Sequence, residues 1–202
     1  MEQRIAQTRA RILQATRQLV ARGGFREAQV AAIAADAGVS TGLIYRYFPS
    51  KAELFVEVLS EAIAAEIVIL RSAAACHASP CAQLAAAIDA FVRRALAGPM
   101  LAYAFIAEPV DAQVDAERIR GRRRIGDVFA NILCAGITCG EFPAQDVDVT
   151  SACIVGAFTE ALVGPVAPIL RQNNPDRQQL TQSIRCVCLR AAGAGEVFHA
   201  RQ

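Results

Sequence analysis

Between positions 41 and 51 of this 202-residue chain stand Thr41, Gly42, Leu43, Tyr45, Arg46, Tyr47 and Lys51, side chains that suit one kind of partner. The Arg46 guanidinium is a planar fork matching guanine O6 and N7, a contact worth ~1–3 kcal/mol of base discrimination. The phenols of Tyr45 and Tyr47 and the Lys51 ammonium suit phosphate oxygens, which fix position without reading sequence. Thr41 and Leu43 suit thymine methyls, and Gly42 lets a backbone come close. The competing account makes the tyrosines core aromatics and Lys51 a solvated charge.

Short helices must carry these groups. Ile5, Ile12, Leu13, Thr16, Leu19 and Val20 recur at about the helical period, so a first helix with one buried face is expected, stopped at Gly23-Gly24. Val30, Ile33, Ala34 and Ala37 mark a second helix, whose start lacks a good cap because Ala28 and Gln29 stand there. Gly38-Val39-Ser40 then forms a turn, with Ser40 capping a two-turn helix from Thr41 to Phe48. Ile44 and Phe48 dock it, leaving Thr41, Gly42, Leu43, Tyr45, Arg46 and Tyr47 outward. Ser50-Lys51-Ala52-Glu53 reads as a capping box that sets Lys51 at the positive end of a fourth helix. No Gly or Pro interrupts Lys51 to Ala75, so one rod is expected there.

Charge follows the same division. Residues 1–57 carry +3 and five of the twelve aromatics, whereas the remaining residues carry −1. A polyanion contact is therefore expected at one end only. The composition, 54% hydrophobic and alanine-rich with 20% charged residues, excludes a disordered chain and disfavours strand-rich folds. An all-α protein is expected.

The stretch from Arg11 to Leu59 resembles the N-terminal domain of the TetR family of bacterial transcriptional regulators. The resemblance is densest from Ile33 to Leu54, in Gly38-Val39-Ser40, in Tyr45-x-Tyr47-Phe48-Pro49-Ser50-Lys51 and in the following Leu54. It implies an N-terminal three-helix helix-turn-helix DNA-binding domain, residues 1–57, and a C-terminal helical effector-binding and dimerisation domain, residues 58–202. It also implies a homodimer on palindromic operator DNA, with a small-molecule effector. The DNA-contacting set is then Gln29, Ser40, Thr41, Gly42, Leu43, Tyr45, Arg46, Tyr47 and Lys51. Tyr45, Tyr47 and Lys51 match the family's backbone-contacting positions. Gln29 and Ala31 depart from the Thr or Arg of many relatives.

Breakers divide the rest of the chain into helices of about Cys81–Leu96, Met100–Ala107, Gln113–Ile137 and Asp148–Val163. A final helix is expected to be capped at Asn173-Asn174-Pro175 and to run to about Ala192. The last two helices are the candidate dimer interface, through Ala152, Val155, Gly156, Leu162, Ile184, Val187 and Ala191, with burial inside one chain as the competing reading. By the resemblance, Tyr103, Phe105, Ile106, Phe129, Leu133 and Phe158 are candidate linings of an apolar effector cavity. Each also reads as ordinary core. Glu108, just before Pro109, reads as a partner for a cationic ligand or as a surface carboxylate. The run Arg118, Arg120, Arg122, Arg123, Arg124 reads as a solvated, salt-bridged helix face, with Asp115–Arg118, Glu117–Arg120 and Arg123–Asp127 as pairs.

Seven cysteines without tight zinc spacing and only two histidines, His77 and His199, argue against a structural metal site, and no cofactor is expected. Cys76 and Cys81 flank a loop and are the candidates for a thiol-sensing regulator, the alternative function; buried cysteine is otherwise a small hydrophobe. No glycine-rich phosphate loop, Gly-x-Ser-x-Gly elbow or His/carboxylate cluster appears, so an all-helical enzyme is the weaker alternative. Arginines are spread through the first twenty residues, and the longest apolar run, Cys153 to Leu170, holds Glu160, Gly164, Pro165 and Pro168. A cytoplasmic protein without a membrane partner is expected.

Overall fold

A computed structural model describes residues 2–170 and 176–194. The described residues form nine α-helices and a short 3-10 turn, and no strand. They are α1 (Glu2–Glu27), α2 (Val30–Ala37), α3 (Thr41–Tyr47), α4 (Lys51–Ala75), α5 (Pro80–Ala97), α6 (Pro99–Ile106), α7 (Ala112–Cys139), α8 (Val147–Val166) and α9 (Arg177–Ala191), with the turn at Pro168–Leu170. The all-α expectation holds.

Hydroxyls and carboxylates start most of the helices. Ser40 accepts from Leu43 N, Ser50 from Glu53 N, Ser79 from Ala82 N, and Asp146 from Val149 N. Each satisfies an N–H that the first helical turn leaves unpaired. At Ser50 only this half of the expected capping box forms. The expected cap at Asn173-Asn174-Pro175 lies outside the described residues; Asp176 Oδ1 caps α9, accepting from Gln178 and Gln179. α2 has no side-chain cap at Gln29, as its sequence foretells.

The expected stop at Gly23-Gly24 is a break instead. Gly24 adopts φ 80° and ψ −178°, and one further helical turn follows before Glu27. Positive φ favours glycine, which has no Cβ to clash.

α4 passes without interruption through position 57, so the two proposed domains share one rod. α4 packs on α5 and α7, α7 packs on α8, and α6 lies along α1. The α4–α7 crossing is close at Gly121, where a Cβ would stand 2.1 Å from Ile63 Cδ1. Phe158, fully buried, has ring centroids 4.5 Å from Phe91 and 5.6 Å from Phe129. The Asp89 carboxylate accepts from Arg185 Nη1 at 2.8 Å and ties α5 to α9. α8 is long and apolar enough to cross a membrane, yet Ile154, Val155, Phe158, Leu162 and Val166 are buried inside the chain.

Phe158→Ala should destabilise the protein by about 3–5 kcal/mol, because the emptied site lies between two rigid rings. Urea unfolding followed by circular dichroism measures this; a loss below about 1 kcal/mol would contradict the packing described.

Candidate nucleic-acid interface and effector cavity

α3 is held by its two apolar residues. Ile44 is 1% and Phe48 2% exposed, and they fix which face of the two-turn helix looks outward. Thr41, Gly42, Tyr45 and Arg46 are exposed, with Tyr45 at 49%. Leu43 and Tyr47 are half-buried, and Tyr47 packs on the core, so these two face the solvent less than expected. Ser40 lies at the helix start and is committed to its cap.

Lys51 is half-buried. Its Nζ lies 5.1 Å from the Phe55 ring centroid and 3.4 Å from Gln29 Oε1. Burial lowers the ammonium below its ordinary value, and a phosphate at this helix start would favour the charged form. Gln29 is engaged at both ends, since its Nε2 donates to Arg26 O at 2.7 Å. It thus links Lys51 to the Arg26 carbonyl while remaining exposed.

Other cations hold the module together. Arg11 donates to Ala37 O and, at 3.1 Å, to Gly38 O, closing the turn between α2 and α3. Arg9 pairs with Glu57, Arg17 with Glu61, and Arg22 with Asp36. Of the eight basic residues in 1–57, Arg4, Arg26, Arg46 and Lys51 have neither a carboxylate partner nor, as Arg11 has, a backbone carbonyl to hold them among the described residues. Two of these, Arg46 and Lys51, lie on α3 and the start of α4. Sequence reasoning missed Arg11, whose partners are backbone carbonyls 26 and 27 positions away.

A cavity of about 210 Å³ lies between α4, α5, α6 and α7. Of the expected linings, Phe105 and Ile106 border it. Phe129, Leu133 and Phe158 do not: all three are fully buried core, filled by their neighbours. Tyr103 is half-buried and also lies outside the wall. Leu59, Ile63, Phe91, Leu101 and Ile125 supply most of the apolar wall that the sequence left unassigned. Its polar part includes Glu66, whose Oε2 accepts from Arg94 Nε at 3.0 Å while Oε1 is buried without a partner.

The arginine run is only partly a solvated face. Arg118 is 8% exposed, borders the cavity and donates to Ala104 O, Phe105 O, Glu108 O and Asp115. Burial lowers its guanidinium below the ordinary value. Arg122 donates to Ile106 O, and Arg120 and Arg124 pair with Glu117. The expected Arg123–Asp127 pair is absent among the described residues. Glu108 is neither a ligand partner nor a surface carboxylate: it is 8% exposed and accepts from the backbone N–H groups of Phe25 and Arg26.

Among the candidate interface residues, Val155, Leu162 and Ile184 are 3%, 0% and 5% exposed, so they belong to the interior of this chain. Ala152, Gly156, Val187 and Ala191 are exposed, and a Cβ on Gly156 would meet nothing within 4 Å.

No three potential metal ligands cluster among the described residues. Burial, then the charge of Glu141, raises the Cys81 thiol, and burial raises Cys188 to about 11. A raised value starves a thiol of its reactive thiolate. That disfavours the Cys76/Cys81 sensor. At pH 8 iodoacetamide should modify exposed Cys76, Cys134 and Cys139 while sparing Cys188, whose labelling should grow only as pH approaches its raised value. Peptide mass spectrometry reads the order; early modification of Cys188 in the folded protein would contradict its burial.

Residues 12–58 match the family model described as bacterial regulatory proteins, tetR family. The HTH-type transcriptional repressor KstR of Mycobacterium tuberculosis is 31% identical over 130 residues, which are 63% of this chain and 59% of that protein. KstR of Rhodococcus jostii is 48% identical over 52 residues, 26% of this chain and 24% of its own length. The match thus spans less than two thirds of these curated relatives. FadR of Bacillus subtilis, solved with stearoyl-CoA, superposes with TM-score 0.75 at 22% identity, covering 89% of this chain and 96% of FadR. RolR, solved with resorcinol, superposes with TM-score 0.75 at 24% identity, covering 98% and 94% of the two chains. Residues 12–58 thus match the helix-turn-helix segment of the TetR family of bacterial regulatory proteins, and the chain shares its all-helical fold with the solved FadR and RolR.

Proposed function

We propose that this chain is a cytoplasmic, DNA-binding transcriptional repressor that leaves a palindromic operator when a small, largely apolar ligand occupies the cavity. The observation carrying this reading is the outward face of α3, where Thr41, Gly42, Tyr45 and Arg46 are exposed on a helix anchored by Ile44 and Phe48. A helix so placed enters the major groove by its N-terminal half, where every base pair shows a distinct pattern. Arg46 reads a base edge, while Tyr45, Tyr47 and Lys51 hold phosphates. Residues 1–57 do the reading and residues 58–202 the sensing. The similar KstR proteins are transcriptional repressors, and this supports a regulator over an enzyme.

The cavity supports the effector half of the proposal. Its wall is mostly apolar, and the unpartnered Glu66 Oε1 suits a ligand bearing one hydrogen-bond donor. The fold neighbours FadR and RolR were solved with stearoyl-CoA and resorcinol, so the same architecture accommodates ligands of very different size. Release is a two-state shift. The ligand favours the conformation in which α4 tilts and misplaces α3, and it acts only through that difference in affinity.

The operator is read by two copies. Ala152, Gly156, Val187 and Ala191, with the 58%-exposed Val149, form an uncovered face of small and apolar groups on α8 and α9. Two such faces pack as a four-helix bundle about a two-fold axis, setting two α3 helices a helical turn or a multiple apart. Gly156→Arg should shift sedimentation equilibrium from dimer to monomer; an unchanged dimer would remove this interface.

On a duplex enriched by the protein from random sequence, Lys51→Ala should weaken binding across sequences and reduce the slope of log affinity against log salt by about 1. Arg46→Ala should instead relax base preference at one position of each half-site, by ~1–3 kcal/mol. Anisotropy titrations measure both. Unchanged affinity for both variants would remove the assigned roles.

A further inference from the structure

Glu108 belongs to the effector-side residues, two positions past the end of α6, yet its carboxylate serves the N-terminal module. Oε2 accepts from Phe25 N at 2.8 Å and Oε1 from Arg26 N at 3.0 Å. The break at Gly24 explains the need. Where a helix is interrupted, the next N–H groups lose their i−4 carbonyls, and buried N–H groups without a partner are costly. The carboxylate acts as a cap supplied from 83 and 82 positions away. The fit is tight, because a Cβ on Gly24 would stand 2.6 and 2.8 Å from the two oxygens.

Beyond the clamp, the contacts run to the DNA side. The Arg26 carbonyl accepts from Gln29 Nε2, and Gln29 Oε1 lies 3.4 Å from Lys51 Nζ. Behind the clamp, they run to the cavity. Arg118 donates to the Glu108 carbonyl at 2.7 Å and to Ala104 O and Phe105 O in the last turn of α6. Arg118 and Phe105 border the cavity, and the Phe105 ring centroid lies 5.8 Å from that of Phe25.

We propose that Glu108 is a positioning residue for DNA reading: by holding Phe25 and Arg26 it sets where α2 and α3 leave α1 and where Lys51 stands, and it links that setting to the cavity wall. The inference rests on the DNA-binding reading above. It makes Arg118 the cavity-side hold on Glu108, so a change in the wall at Arg118 or Phe105 reaches the α1–α2 turn through one side chain.

The test uses the full chain with Glu108→Gln, which keeps the size but offers one acceptor oxygen and turns an NH₂ toward an N–H. Affinity is measured by anisotropy on the enriched duplex and on an unrelated duplex, well below the unfolding midpoint, with circular dichroism confirming the fold. Backbone hydrogen exchange at Phe25 and Arg26 is followed by NMR. Expected are a roughly ten-fold loss on the enriched duplex, a loss several-fold smaller on the unrelated one, where only the Lys51 phosphate contact is disturbed, and faster exchange at both amides. Arg118→Lys, which leaves the N-terminal module untouched, should lose specific affinity in the same direction. A merely structural clamp would lower both affinities by the same factor through loss of folded protein, or lower neither; either result, with faster exchange, overturns the proposal. Should Glu108→Gln fail to fold, Arg118→Lys with an unchanged ratio of the two affinities overturns it instead. Wild-type protein that binds neither duplex refutes the DNA-binding reading itself and the inference with it.

Discussion

A helix of seven residues does not persist alone in water, because nucleating it costs more than two turns return. α3 therefore exists only as something held. Ile44 and Phe48 hold it from below, Ser40 satisfies its first orphan N–H, and Arg11 ties the turn that precedes it. What the rest of the N-terminal module contributes is this constraint. Four of its eight basic groups are spent on internal ion pairs or carbonyls, so the modest net charge of +3 understates how selectively positive charge is placed. Arg46 and Lys51 are the cations that remain at the presenting end.

The second half of the molecule is fastened to this presenting end by three contacts of different kinds. α4 crosses the boundary as a continuous rod, Phe25 packs between Phe55 and Phe105, and the Glu108 carboxylate caps the broken turn of α1. The cavity touches two of the three, since α4 supplies Leu59 and Ile63 and α6 supplies Phe105 and Ile106. A ligand there would meet side chains of α4 and α6, the elements that join the two halves, about two turns along α4 from the end that carries Lys51.

Local chemistry was legible in the sequence and long-range chemistry was not. Ser40, Ser50, Gly38 and the uncapped Gln29 announced helix ends because a cap is decided within four residues. Ile44 and Phe48 announced the buried side of α3 by their spacing alone. Glu108 could not be read this way, for its partners lie 82 and 83 positions away and it resembles any carboxylate at a helix end. Val155, Leu162 and Ile184 were misplaced at a dimer surface for a different reason. α8 is apolar on nearly all sides, so no polar stripe marks which residues face its own chain. Phe129, Leu133 and Phe158 are expected at a cavity only through the resemblance, and large apolar side chains fill space as readily as they line it.

The central claim is that paired α3 helices read base edges in two adjacent major grooves. Selection of bound fragments from random duplex DNA, followed by sequencing, examines that claim most directly. Paired α3 helices should enrich an inverted repeat whose half-site centres lie about one helical turn, or a multiple of it, apart. Recovery of unenriched sequence, or of a single asymmetric site without a repeat, would contradict it.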